Sequence, residues 1–185
     1  MDGLMPRWSL LPLFLLSATV SAGELFTELA AKAGVASAQY TLGNHFFAGE
    51  EGYAQDHERA AYWYLKAAKG DNAKGQLAIG IAYRRGQGVT EDPDAALYWM
   101  KKSAGSGHSL AMYNLGQFYL NKADRPSTGS YATEAYAWFV VTRDHGGPQS
   151  HPADSELSRL DRMMTRDETS FARSRARALK ASIGL

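Results

Sequence analysis

The chain contains no cysteine. That absence removes disulfides, thiolate nucleophiles and cysteine-ligated zinc together. Proline is scarce, 6 in 185 residues, so few turns are stiffened. Charge of one sign is lacking too, since 20 basic residues face 19 acidic ones. A dedicated nucleic-acid binder carries a basic surplus, so no nucleic-acid partner is expected. Beyond residue 22 no apolar run approaches the roughly 20 residues that a bilayer span requires. What is present is a globular mix, 45% hydrophobic and 21% charged. Such a mix buries a core and excludes disorder along the whole length. Glycine is abundant at 18, which calls for many tight turns.

The longest apolar run lies at the start. Residues 1–22, MDGLMPRWSLLPLFLLSATVSA, place a positive charge at Arg7, an apolar stretch from Trp8 to Val20, and the small residues Ser21 and Ala22 at its end. This is the layout of a cleaved export signal. The stretch holds about a dozen apolar residues around Pro12, short of the roughly 20 that a membrane anchor needs. Cleavage is expected after Ala22, leaving a periplasmic or secreted chain that begins at Gly23. With no cysteine at the cut, a lipid anchor is excluded.

The middle of the chain repeats. Gly43, Gly80 and Gly116 recur at spacings of 37 and 36 residues, and Trp63, Trp99 and Trp138 at 36 and 39. Gly52 matches Gly88, and Asp56 matches Asp92. A period of this size signals stacked helix pairs. Within one unit, Ala38, Leu42 and Phe46 form a stripe at four-residue spacing, matched by Gly75, Ile79, Tyr83 and by Ala111, Leu115, Tyr119. Gly43, Gly80 and Gly116 fall mid-helix, where glycine costs about 1 kcal/mol against alanine. Three matched occurrences imply that a neighbouring helix passes too close for a side chain. Gly86-Gln87-Gly88 ends a helix, and Asp56 and Asp92 stand where a carboxylate caps the next one. Pro93 takes the favoured first-turn position. On the second helices Tyr62, Trp63, Tyr64, Tyr98, Trp99, Tyr136, Trp138 and Phe139 are expected in the core, with each tryptophan filling the space between units.

The pattern A-x-x-x-L-G-x-x-Y/F, then G-x-G, then D-x-x-x-A-x-x-W, then A-A and G-x-x-x-A resembles the SEL-like repeat family, short relatives of the tetratricopeptide repeat. The resemblance covers about Glu24 to Gly147. It implies an all-α, right-handed α/α solenoid of about three helix-pair units. Residues 23–37 then form an N-terminal cap, 38–147 the repeats and 148–185 C-terminal capping helices. The second unit, with GQGVTEDPDAALYW, is nearly ideal. The third replaces the G-x-G turn by a longer loop from Asn121 to Tyr131. In the tail, Leu157, Leu160 and Met164 share one face, and Thr165-Arg166-Asp167-Glu168 is a capping-box pattern opening a helix to about Ser182. Ala172, Ala176 and Leu179 are expected to face the solenoid. Arg173, Arg175, Arg177 and Lys180 have no acidic residue between them. A solvated helix face accounts for that edge; its alternative is a docking patch for an acidic partner or phospholipid head groups, a weak surface contact.

Chemistry has few markers. There is no G-x-S-x-G elbow and no phosphate loop, since Gly70-Asp71-Asn72-Ala73-Lys74-Gly75 has the wrong spacing. His45, His57, His108, His145 and His151 make no metal-binding helix pair, and Gly146, Gly147, Pro148 and Pro152 put the last two in a loop. No catalytic residue, metal or cofactor is expected.

In a solenoid of this kind the first helices line a concave face. The related tetratricopeptide logic places Asn44 and Phe47 there in the first unit, Lys74, Ile81, Arg84 and Arg85 in the second, and Gln117, Leu120 and Asn121 in the third. Tyr40, Leu77 and Tyr113 border it and are assigned to packing. The mixture of apolar, amide and arginine side chains suits a specific protein interface. Arg84 and Arg85 suggest an acidic ligand. The resemblance implies an adaptor or scaffold for an envelope or toxin protein, without catalysis of its own. A narrower expectation is an immunity protein that neutralises a phospholipase-type toxin. A third, β-lactam binding or cell-wall hydrolysis, belongs to relatives braced by disulfides, which this chain cannot form.

Overall fold

The computed structural model describes residues 22–123 and 130–185. Among these residues there are nine helices and no strand: α1 (Ala22–Lys32), α2 (Ala36–Ala48), α3 (His57–Lys69), α4 (Ala73–Arg85), α5 (Pro93–Gly105), α6 (Ser109–Lys122), α7 (Ser130–His145), α8 (Ser150–Asp161) and α9 (Arg166–Ser182). No helix among them is long and apolar enough to cross a membrane. The expected export signal spans residues 1–22, and all of it but Ala22 lies outside the described residues. So do residues 124–129 of the expected third-unit loop.

Local chemistry sets the helix ends. The Asp56 carboxylate accepts from the Arg59 N–H, and that of Asp92 from the Asp94 and Ala95 N–H groups. Asn72 does the same for Gly75 at the start of α4. Each satisfies donors that a first helical turn leaves free. Gly86 stops α4 in the left-handed conformation, at φ 63°. The helix of the first unit begins at Ala36, inside the stretch 23–37 expected to cap it, because α1 ends at Lys32 and Gly34 turns the chain.

Each helix packs on the next, α1 on α2 through to α6 on α7; then both α8 and α9 dock on α7. The matched glycines explain the pairing. A Cβ on Gly43 would stand 2.6 Å from the Tyr64 ring, one on Gly116 2.6 Å from the Phe139 ring, and one on Gly80 3.0 Å from Met100 Cγ. In every unit the residue after the tryptophan lies against the glycine of the facing helix. The α6–α7 pair repeats this contact, so the third unit is complete despite its altered loop.

That register corrects the expected core. Tyr64, Tyr136, Trp138 and Phe139 are buried, but Tyr62 and Tyr98 are 52% and 59% exposed. Trp63 and Trp99 are only half-buried, packed at the edge of the cluster built on Leu42, Phe46 and Ile79. Successive helical side chains diverge by about 100°, so once Tyr64 or Met100 takes the centre of the hairpin, its predecessor turns toward the rim. Trp138 escapes exposure in a unit on which both α8 and α9 dock, and it shares a cluster with their apolar residues.

The tail follows its expected faces. Leu157, Leu160, Met164, Ala172, Ala176 and Leu179 all point inward, and Thr165 and Glu168 close a capping box. Arg173, Arg175 and Arg177 are exposed, in line with a solvated face, but part of the basic edge has partners on α7. Arg175 pairs with Glu134 at 2.5 Å, Lys180 pairs with Asp144, and Arg173 Nε donates to the Tyr136 hydroxyl at 3.2 Å. The acids come from α7, far off in sequence. Burial raises the Asp144 carboxyl, but hydrogen bonds from Lys180 and Arg143 outweigh it, and the net pKa falls below its ordinary value. A depressed carboxylate contributes stability above its unfolded pKa and loses it as pH falls through the folded one. Asp144→Asn is therefore expected to lower the melting temperature at neutral pH. The gap from wild type should narrow progressively below about pH 5. A gap independent of pH would show that the charge plays no part.

Candidate partner-binding groove

One cavity on the first-helix face is defined by α2, α3 and α4. It measures about 280 Å³ and is lined in part by Tyr40, Asn44, Phe47 and His57, with Ile81 and Arg85 opposite. Its floor is Ala60, Ala61 and Tyr64, and its far wall includes Ala78, Ala82 and Gln87. The alanines keep the helices close and leave room between the larger rings. The His57 ring lies 5.1 Å from Phe47, and the Tyr40 ring 5.9 Å from Tyr64.

Polar groups are placed with care. The Tyr64 hydroxyl donates to Asn44 Oδ1 at 2.9 Å. Burial, with Tyr40 adding to it, pushes the Tyr64 phenol well above its usual pKa, so it stays a donor. Asn44 therefore accepts with its oxygen and keeps its NH₂ for the cavity. His57 Nδ1 is buried with no hydrogen-bond partner among the described residues. Arg85 is exposed at the end of α4 and forms no ion pair among them. The result is an apolar slot with amide donors and one cation at its mouth.

Asn44, Phe47, Ile81 and Arg85 therefore come together as expected, whereas the other five candidates do not join them. Arg84 points away from Arg85, into a smaller depression of about 160 Å³ shared with Glu91, Phe118 and Asn121. The two arginines are adjacent in sequence, and the helix splays them about 100° apart. Lys74 is exposed near His108, at the junction of the second and third units. Leu120 is 8% exposed and belongs to the core. Gln117 is spoken for: its NH₂ donates to the Tyr113 hydroxyl and to Glu156 Oε1, each at 3.0 Å. Glu156 lies on α8, and Gln149 just before that helix accepts from Ser109. The capping segment thus returns to α6, and the groove does not continue into the third unit. Sequence reasoning missed His57, Gln87 and the alanine floor. The adjacent small residues Ala60 and Ala61 were the available signal.

Stacked helix pairs with a slot on their first-helix face define an α/α-solenoid binding scaffold. A model of the Sel1 repeat matches residues 36–72, 73–108 and 109–122. The chain belongs to the SEL-like repeat family. The crystal structure of a Sel1 repeat protein from Oxalobacter formigenes is similar at TM-score 0.58 and 25% identity, over 72% of this chain and 96% of that one. A second similar structure is c5321, a protective antigen present in uropathogenic Escherichia coli strains and displaying an SLR fold. Its TM-score is 0.60 at 21% identity, over 86% of this chain and 40% of that one. Sel1 repeat proteins are protein–protein interaction modules, and their fold is typically a scaffold without catalysis.

Proposed function

We propose that this protein is an exported, non-catalytic adaptor that holds an acidic segment of another protein in the groove between α2 and α4. The observation that carries the reading is the slot itself. It has an apolar floor for one bulky side chain, and unpaired Arg85 beside it for a carboxylate. The signal-like segment 1–22 supports export, with the mature chain starting at Gly23. A preformed rigid face binds at little ordering cost.

The test uses the protein purified from the periplasmic fraction, with an intact mass that begins at Gly23. Phe47→Ala and Arg85→Glu change exposed side chains, so each is expected to shift stability by less than about 0.5 kcal/mol. Each is expected to weaken capture of the partner by about tenfold or more, the equivalent of about 1.4 kcal/mol. Capture unchanged by both substitutions would reject the groove. Capture of a phospholipase-type toxin would narrow the reading to the immunity role.

A further inference from the structure

A second concavity lies at the opposite end of the chain. Arg143 of α7 and Arg166, Arg173 and Arg177 of α9 line one open basin of about 530 Å³, together with Thr169 and Ser170. No carboxylate lines it. The acids of α7 are already engaged: Glu134 holds Arg175, and Asp144 is shared by Arg143 and Lys180. Arg173 reaches Asp161 only at 3.9 Å. Arg166 and Arg177 have no ion-pair partner among the described residues. The Ser170 hydroxyl has no partner among them either and is free to donate. The Thr169 hydroxyl donates to the Arg166 carbonyl at 3.0 Å, which ties this turn of α9 in place.

Arg166 and Arg177 face the hollow with no counter-ion, while Arg143 is paired with Asp144 and Arg173 lies within reach of Asp161; the charge of the first two is left for an anion to balance. Guanidinium presents paired donors that match the oxygens of a phosphate, and a concave wall of low dielectric focuses the field. Two unpaired guanidinium groups, with two more arginines on the same wall, exceed what a single monoanion requires. We infer that this basin is a binding site for a small polyphosphate-class anion, two or more linked phosphates, distinct from the partner groove. A membrane head-group site fits less well. Phe171, the ring of α9 that is 67% exposed, is turned roughly 140° around the helix from the centre of the basin residues. An interfacial helix would put its apolar anchor and its cations on adjoining sides of the same bilayer-facing surface.

The test is calorimetric titration of the mature protein with inorganic pyrophosphate and with tripolyphosphate at two salt concentrations. Binding at micromolar to submillimolar concentration is expected, tighter for tripolyphosphate and weaker at high salt. Arg166→Gln and Arg177→Gln each remove an exposed, unpaired cation, and each is expected to weaken binding by about fivefold or more. Arg162→Gln, an exposed cation outside the basin, should leave binding within about twofold of wild type. No binding of either anion at about 1 mM overturns the proposal. So does equal loss in the Arg162 variant, which would mean diffuse attraction. Co-sedimentation with phosphatidylglycerol vesicles that is lost in the Arg166 and Arg177 variants, without binding of the soluble anions, would assign the basin to a membrane and overturn it as well.

Discussion

Gly88→Ala is expected to destabilise the protein by on the order of 4 kcal/mol, in the range reserved for specific steric or strain defects. A Cβ at this position would lie 1.8 Å from the His57 carbonyl oxygen and 2.2 Å from its carbon. Neither atom can move without displacing the first turn of α3. The backbone adds to the penalty, since φ at Gly88 is 72°, a conformation that costs a residue with a side chain about 1–2 kcal/mol. Gly86, two residues earlier, provides the control. Its φ is 63°, but the nearest atom to an added Cβ is 3.6 Å away. Gly86→Ala should therefore cost only the backbone term, about 1–2 kcal/mol. For a chain of this size the Gly88 variant should melt about 10 °C lower. Gly88 belongs to the second unit and His57 to the first. In a linear array, where stability is a sum of units and their interfaces, the defect falls on the interface. Equal melting temperatures for the two alanine variants would show that the turn does not seat on α3.

Trp138→Ala should cost about 3–5 kcal/mol, as for a fully buried large side chain. Trp138 is 2% exposed, on a helix that both α8 and α9 cover. Trp99 occupies the same place in its own unit but is half-buried at a cluster edge. Trp99→Ala should cost roughly half as much, about 1.5–2.5 kcal/mol. Chemical denaturation of the two variants distinguishes the register described here from one in which every repeat tryptophan is core. Equal losses would contradict it.

The contrast between these tryptophans marks how far the residues could be read without coordinates. Features that depend on a few neighbours were legible. Asp56 and Asp92 cap their helices, Gly86 stops one, and Thr165 with Glu168 closes a capping box, because each involves atoms within four residues. The helix pairing was legible for a different reason: Gly43, Gly80 and Gly116 repeat, and a repeated cost implies a repeated close approach. The depth of each aromatic was not. It depends on which of Trp63 and Tyr64 meets the facing glycine, a rotation of one residue. Trp138 is buried in a unit covered by the non-repeating helices α8 and α9, which the repeat pattern does not report.

The groove was legible in part for the same reason. Asn44 and Phe47 on one first helix and Ile81 and Arg85 on the next converge because α2 and α4 both pack on α3 and meet across it. Gln117 and Leu120 occupy related places in the third unit and would have extended it. The return of α8 places Glu156 on Gln117, and Leu120 sinks into the core. Nothing in a repeat pattern reports where a non-repeating cap will fold. The basic tail taught a similar lesson. Arg175 and Lys180 look free in sequence because Glu134 and Asp144 lie some forty residues earlier.

Photocrosslinking in the producing cell locates the bound partner, with benzoylphenylalanine placed at residue 47 in the groove or at residue 98 on the second-helix face. Both parent side chains are exposed, Phe47 at 38% and Tyr98 at 59%, so neither substitution disturbs the core. A partner seated between α2 and α4 yields an adduct from position 47 and none from position 98, and the adduct disappears when Arg85→Glu is added. Adducts from position 98 alone, or an adduct at 47 indifferent to Arg85, would place the partner elsewhere and contradict the account.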